Sequence, residues 1–139
     1  MELSRKFESE LYSLNQAVDT FDKALNVSED NSLDEITKDL IKNDKIQKFE
    51  YCAEPACKIS KIFLQLKTGE IQISPKQVYK TMFLTKIINE NLYQSLFHTI
   101  EDRNKLSHIY KEDTYDIVYN QLENHLSSFK QLLEVLKAE

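Results

Sequence analysis

The sequence has 139 residues, about the length of one domain, with the 41% hydrophobic and 29% charged residues of an ordinary folded protein. One glycine and two prolines are too few for a sheet protein with many tight turns, which favours an all-helical fold. The net charge of −5 excludes a protein that attracts nucleic acid over its whole surface, so RNA binding would need a local basic patch.

The first 25 residues predict a long amphipathic helix. Their apolar residues recur in steps of three and four and therefore share one face: Leu3, Phe7, Leu11, Leu14, Val18, Phe21 and Leu25. Residues 28–32 interrupt the pattern with side chains that cap helices. A short amphipathic segment from Leu33 to Ile41 is predicted next.

A second helix is predicted to begin at Asp44, because Gln47 three residues later completes a capping arrangement. Its apolar stripe consists of Ile46, Phe49, Ala53, Ala56, Ser60 and Phe63. Pro55 lies within this stretch and should kink the helix at a cost of roughly 3 kcal/mol, because it removes a backbone hydrogen bond. Gly69 is expected to end the helix in the left-handed conformation.

Three further helices are predicted. The third starts at Ser74-Pro75, a capping serine before a proline at the first helical position, and ends near Asn89. The fourth begins near Asn91 and carries Leu92, Leu96 and Ile100, with Tyr93 and Phe97 beside them. The last begins near Asp113 and runs for about 24 residues, or roughly 36 Å. Its stripe is Tyr115, Val118, Leu122, His125, Phe129, Leu132 and Leu136.

These elements indicate an all-α protein, an antiparallel up-and-down four-helix bundle with one additional short helix. A single domain is expected to span residues 1–139. The sequence has no apolar run of about 18 residues and begins with alternating charged and apolar residues, so we expect no membrane span and no signal peptide.

The two cysteines predict neither a disulfide nor a metal site. Cys52 and Cys57 are five residues apart on one helix and point about 140° from each other. Their spacing fits no zinc pattern, and the histidines lie far away in the sequence. Two buried thiols in a reducing cytoplasm are the expectation.

Residues 103–110, Arg-Asn-Lys-Leu-Ser-His-Ile-Tyr, carry the side chains best suited to chemistry. Arg103 is a permanent cation able to hold a phosphate. His108 can move a proton near neutral pH. Tyr110 offers a hydroxyl that could be modified. Together they suggest phosphodiester chemistry.

Helical geometry constrains this motif. Arg103 and Asn104 lie three and four residues after Ile100, so both are predicted to continue the apolar face. Arg103 and His108 are about 140° apart on an ideal helix. They could meet at one phosphate if the helix ends near Ser107, or if each of two subunits contributes one of them. A third possibility is a buried polar cluster that fixes packing, with Arg103 paired to Glu101, Asp102 or a distant acid.

Other titratable residues have simpler interpretations. His98 is predicted to be partly exposed, and His125, on the apolar stripe, to be a packed histidine. Glu50 and Glu54 are four residues apart. They could raise each other's pKa or pair with Lys58, and we favour a solvated pair or one that supports the motif.

The motif Arg103, Asn104, His108 and Tyr110 resembles that of the HEPN superfamily, specifically of HepT-like proteins, also called nucleotidyltransferase substrate-binding proteins. A second block is similar to that family's second helix: Ile46-Gln47-Lys48-Phe49-Glu50-Tyr51, Glu54 and Lys58. Ser74-Pro75 and a long last helix also fit, so the resemblance covers roughly residues 5 to 137.

The second helix departs from the family pattern at two positions. Where this chain has Pro55 the family more often has an apolar helix former, and where it has Cys57 commonly a tryptophan. These departures affect the straightness and packing of that helix and leave the motif intact.

The resemblance implies a small bundle that dimerises with two motifs at the interface, without metal or cofactor. It implies the HepT-like half of a type VII toxin–antitoxin pair, a metal-independent endoribonuclease acting on RNA, and an MntA-like nucleotidyltransferase antitoxin that attaches AMP to Tyr110. By position, Arg103 would bind the scissile phosphate. His108 would be the general acid or base, and Asn104 would orient the histidine or the phosphate.

A non-enzymatic accessory subunit is the alternative. Such a protein would present a nucleotide, or its own Tyr110, to the nucleotidyltransferase. The motif favours the ribonuclease, and the acidic net charge favours the accessory subunit.

Overall fold

The computed structural model describes residues 2–108 and 112–138, including all of their side chains except those of His108, Glu112 and Asp113. These residues form six α-helices and no β-strand, so the all-helical fold expected from the composition is confirmed. The helices are α1 (Glu2–Leu25), α2 (Glu35–Thr68), α3 (Pro75–Leu84), α4 (Glu90–His108), α5 (Glu112–Tyr119) and α6 (Leu122–Lys137). None of the described helices combines the length and the apolar character that crossing a membrane would require.

The helices α1 and α2 run antiparallel. In the first half of α1, Glu10 pairs with Lys58 of α2 at 3.0 Å. Just after the end of α1, the carbonyl of Val27 accepts a hydrogen bond from Lys45 at 2.9 Å. The pairing therefore moves backwards along α2 as the chain moves forwards along α1.

The helix α6 also runs antiparallel to α1, and α4 completes the bundle. Lys130 lies 3.0 Å from Asp22, and Lys137 donates to Asn15 at 2.9 Å. The helix α4 contacts α2 and α6, and its C-terminal part lies close to the start of α6, where Asp102 contacts His125. The predicted antiparallel four-helix bundle is thus confirmed, with α3 against α2 and α4 as the additional short helix.

Aromatic rings from three helices form the centre of the core. Phe21 of α1, Phe49 of α2 and Phe129 of α6 are fully buried, and their ring centroids lie 6.1–6.4 Å apart. The apolar stripe of α1 is confirmed at Leu14 and Val18, which are also buried. Burial of such side chains is worth roughly 1.5–3 kcal/mol each.

The sequence boundaries of α2 were wrong. One helix runs from Glu35 to Thr68, so no separate segment covers residues 33–41. Asp34 is the N-cap and accepts a hydrogen bond from the backbone N–H of Thr37 at 2.7 Å. Asp44 is helical and pairs with Lys48 at 2.7 Å. The capping pattern of Asp44 and Gln47 does not begin a helix here, because α2 packs against other helices both before and after these residues.

The helix α2 continues through Pro55. Ala53 and Ala56 beside it are buried in the core, so packing offsets the lost backbone hydrogen bond. The kink at Pro55 stays a prediction. Cys52 and Cys57 are both free, which confirms that they form no disulfide; burial raises the pKa of the Cys52 thiol to about 12.

The signals on both sides of the α2–α3 loop are confirmed. Gly69 adopts a φ of 77°, and its N–H donates to Gln65 at 2.9 Å. Ser74 accepts from the backbone N–H of Gln77 at 3.2 Å, and Pro75 is the first residue of α3.

Two predicted helix ends were wrong. The helix α3 ends at Leu84 rather than near Asn89, because Lys86 takes a left-handed conformation with a φ of 64°. The predicted last helix is divided into α5 and α6 at Asn120–Gln121. Tertiary contacts explain the break, since ion pairing of Asp116 with Lys42 holds α5 against α2 while α6 packs on α1.

Replacing Gly69 with alanine should lower the free energy of unfolding by about 1–2 kcal/mol, the cost of a left-handed conformation for a residue with a Cβ atom. A Cβ atom there would meet nothing within 4 Å, so backbone strain is the cause to be measured. Urea denaturation of Gly69→Ala tests this. Gly69→Asn is the control and should lose less, because asparagine tolerates this conformation. Unchanged stability of the alanine variant would contradict the assignment.

Candidate functional site

The last turns of α4 present the motif residues in different environments. Arg103 is partly buried, as predicted, whereas Asn104 is exposed, so the expectation that both continue the apolar face was wrong for Asn104. Asp102 and Leu106 occupy the buried face instead, with exposed fractions of 0% and 8%. The reason is the helical period of 3.6 residues: from Leu96 the buried face continues through Thr99, Asp102 and Leu106, one residue away from the stripe extrapolated from Ile100.

The helical backbone separates Arg103 from His108. The helix α4 remains helical through His108, so it does not end before that residue. Five residues of an α-helix correspond to a rotation of about 140°. The helix ends at His108, one residue after Ser107, which is close to the end that the first of the two arrangements requires. The side chain of His108 and the whole of Tyr110 lie outside the described residues.

Arg103 faces an acid on a neighbouring helix. One guanidinium nitrogen lies 3.9 Å from a carboxylate oxygen of Glu50 in α2, and each side chain is 35% exposed. This distance is an ion pair but too long for a hydrogen bond. Of the partners considered from the sequence, the structure shows a distant acid. Lys58, which the sequence suggested as a partner of Glu50 and Glu54, pairs with Glu10 of α1.

A buried hydrogen bond anchors α4 directly beside Arg103. The Oδ2 atom of Asp102 lies 2.6 Å from Nε2 of His125 in α6, and both side chains are almost completely buried. The imidazole of His125 also stacks on Phe49, with ring centroids 4.7 Å apart. His125 is a packed histidine, as predicted. Because Asp102 precedes Arg103, this bond fixes the rotation of α4 that sets the direction of Arg103.

The environment of Asp102 favours its ionised form. Burial by itself raises the pKa of this carboxyl, but the hydrogen bond from His125 and the charges of His125, His98 and Lys105 outweigh burial and hold the pKa below its ordinary value of 3.8. His98 lies 3.5 Å from the second oxygen, Oδ1, and is partly exposed, as the sequence predicted. Lys105 lies 3.4 Å from the same oxygen.

Sequence reasoning missed the burial of Asp102, which it considered only as a partner of Arg103. A histidine on an apolar stripe, such as His125, needs a polar partner when it is buried. The signal was the spacing of His98, Thr99, Asp102 and Leu106, which places an acid on the inner side of α4. The partner helix could not be inferred from that spacing.

Comparisons with known proteins identify a family and similar folds. A family model described as nucleotidyltransferase substrate binding protein like matches residues 9–138. A search of curated proteins finds no match.

Three solved structures share the fold. A protein from Thermus thermophilus is 22% identical, with a TM-score of 0.76 over 89% of this chain and 98% of its own. A tri-AMPylated HEPN toxin of Shewanella oneidensis, in complex with an MNT antitoxin, is 20% identical, with a TM-score of 0.77 over 96% and 97%. A chain of a mutant MntA–HpeT toxin–antitoxin structure is 19% identical, with a TM-score of 0.78 over 96% and 98%. At these identities the likeness concerns the fold.

Replacing Asp102 with asparagine should lower the free energy of unfolding at pH 7 by roughly 1.5–3 kcal/mol, because a buried hydrogen bond to a charged group is lost. Asp44→Asn is the matched control. It removes the charge of a carboxylate that is 50% exposed and should cost less than about 1 kcal/mol. Urea denaturation measures both, and equal effects of the two variants would contradict the anchoring role.

The destabilisation by Asp102→Asn should also depend on pH. The folded pKa of Asp102 is lowered, so its stabilisation is fully present above the ordinary value of 3.8 and declines as the pH falls through the folded value. The difference between wild type and variant should therefore shrink towards acid. A difference that grows as the pH falls would show that the carboxylate is not stabilised in the folded state.

Proposed function

The chain belongs to the nucleotidyltransferase substrate-binding protein family, the HepT-like proteins of the HEPN superfamily, and we propose that it is the toxin of a toxin–antitoxin pair. Its proposed activity is metal-independent endoribonucleolytic cleavage. A partner MntA-like nucleotidyltransferase would control that activity by attaching AMP to Tyr110. The observation that carries the proposal is the partly exposed Arg103 beside the exposed Asn104, on a helix that ends at His108.

The proposed reaction is transfer of the scissile phosphodiester to the neighbouring ribose oxygen. His108 takes the proton of the 2′-hydroxyl, and the 2′-oxygen forms a bond to phosphorus. The bond from phosphorus to the 5′-oxygen breaks, and that oxygen receives the proton from His108. The products are a 2′,3′-cyclic phosphate and a 5′-hydroxyl. Arg103 holds the phosphoryl oxygens as charge develops on them, and Asn104 orients the phosphate or the histidine.

The continuous helix supports a site shared between two subunits. Five residues along an ideal α-helix correspond to a rotation of about 140°, so a site shared between subunits can bring Arg103 and His108 to one phosphate without distorting the helix. In a two-fold symmetric dimer, Arg103 of one subunit can face His108 of the partner subunit, which creates two identical sites. We therefore propose a homodimer with the ends of the two α4 helices at its interface.

Glu50 gives this site a defined resting state. The 3.9 Å ion pair holds the guanidinium of Arg103 near α2 without the short hydrogen bonds that would occupy its donors. Exposed ion pairs contribute about 0–1 kcal/mol, so a phosphate that binds in bidentate fashion can displace Glu50.

A second candidate function is the non-enzymatic accessory subunit. The acid beside Arg103 and the net charge of −5 both favour it, because they weaken attraction to the phosphate backbone of RNA. This subunit would present Tyr110 or a nucleotide to the nucleotidyltransferase without cleaving RNA. The two functions differ in whether His108 supports catalysis.

His108→Ala should reduce RNA cleavage by about 10²–10⁴-fold, because the proton-transferring group is lost. Cleavage is measured by gel electrophoresis of a labelled single-stranded RNA, with circular dichroism to confirm folding. Lys23→Ala, an exposed residue of α1 paired with Asp19, is the control and should cleave normally. Full activity of folded His108→Ala would exclude the catalytic role.

In sedimentation experiments the protein should be a dimer, and an active monomer would contradict the shared site.

Co-expression with the cognate nucleotidyltransferase should add one or more AMP groups to the wild-type chain, as read by intact-mass spectrometry. Tyr110→Phe removes the hydroxyl that accepts AMP and should abolish the addition. Tyr12→Phe is the matched control, since Tyr12 is 68% exposed on α1 and should not affect modification. An unmodified wild-type chain, or unchanged modification of Tyr110→Phe, would contradict the proposed control mechanism.

A further inference from the structure

We propose that His98, Asp102 and His125 form a binding site for one divalent transition-metal ion, such as Zn²⁺, between α4 and α6. Each residue offers one ligand atom, and the three atoms lie within 4.8 Å of one another. The site is separate from Arg103 and Asn104 and does not depend on the proposed cleavage of RNA.

The three residues supply a donor set that transition metals prefer. Two imidazole nitrogens and one carboxylate oxygen bind Zn²⁺, Co²⁺ or Fe²⁺ in proteins and leave further positions for water. His98 and Asp102 are four residues apart in α4, so they share one helix face. His125 comes from α6, so a bound ion would clasp the two helices together.

The ligand atoms are already oriented towards one another. Both histidines direct Nε2 towards the carboxylate of Asp102, at 2.6 Å for His125 and 3.5 Å for His98. Metal–ligand distances of about 2.1 Å in a tetrahedral site place neighbouring ligand atoms about 3.4 Å apart. The distance from His98 to Oδ1 meets this requirement. His125 contacts the other oxygen, Oδ2, so an ion has to displace this hydrogen bond and bind the carboxylate through one or both oxygens.

A polar cavity of about 210 Å³ reaches the two histidines of the cluster, and Asp102 lies behind them in the core. His98 and His125 both line it, and Ser95 and Asn124 are among the polar residues of its wall. This space accommodates the water molecules that would complete the coordination of the ion. The cavity and the inward-facing imidazoles together distinguish the cluster from a closed core hydrogen bond.

One neighbouring cation opposes metal binding and has to move. Lys105 lies 3.4 Å from Oδ1 of Asp102, but its side chain is 47% exposed. A long exposed lysine can turn its ammonium group into water at little cost. The buried carboxylate would then interact with the metal ion in place of the ammonium group.

The test is a titration of the untagged, chelator-treated full-length protein with Co²⁺ and then Zn²⁺. Co²⁺ should bind at one equivalent per chain and give visible absorption typical of a low-coordinate nitrogen and oxygen site. Zn²⁺ should displace it and raise the thermal midpoint of unfolding, because the ion binds only the folded chain. A wild-type chain that shows neither the absorption nor the thermal shift would overturn the proposal.

Two single variants locate the ion. His98→Ala changes a partly exposed residue, should fold normally, and should weaken binding at least about tenfold, since removal of even an outer-shell partner of a metal ligand costs about that much. His108→Ala removes the histidine of the motif and should bind Co²⁺ as the wild type does. Unchanged binding by His98→Ala, or loss of binding by His108→Ala, would show that the cluster is not the site.

Discussion

The hydrogen bond between Asp102 and His125 is the constraint on which the candidate site depends. It lies in the core between α4 and α6, and stacking of the imidazole on Phe49 connects it to α2. A buried carboxylate needs such a partner, so α4 has one favourable rotation about its axis. That rotation places Arg103 beside Glu50 and leaves Asn104 exposed. The core therefore determines how the motif is presented.

The continuity of α4 connects this anchoring to the proposed chemistry. The backbone of α4 is helical from Glu90 to His108, and a spacing of five residues on an ideal helix suits a symmetric dimer better than a site within one chain. Attachment of AMP at Tyr110, two residues later, would add bulk and negative charge next to this shared site. Family membership, the anchored helix and the position of the tyrosine thus support one proposed function.

Much of the fold could be predicted because its signals are local. The stripe of α1, the cap at Ser74 and the left-handed Gly69 depend on neighbouring residues, and all three are observed. The start of α2 and the break after α5 were missed because contacts with other helices decide them. In the site, a distant acid was one of three partners considered for Arg103, and Glu50 is the acid observed. The burial of Asp102 was missed, because a polar residue is assigned to solvent until its partner helix is known.

The shared site is the central claim, and activity of a mixed dimer tests it most directly. Subunits carrying Arg103→Ala would be co-expressed with subunits carrying His108→Ala, and the heterodimer isolated through two different affinity tags. A site built across subunits leaves one intact pair of residues, so about half of the wild-type cleavage should return although each homodimer is inactive. A heterodimer as inactive as the homodimers would contradict the account.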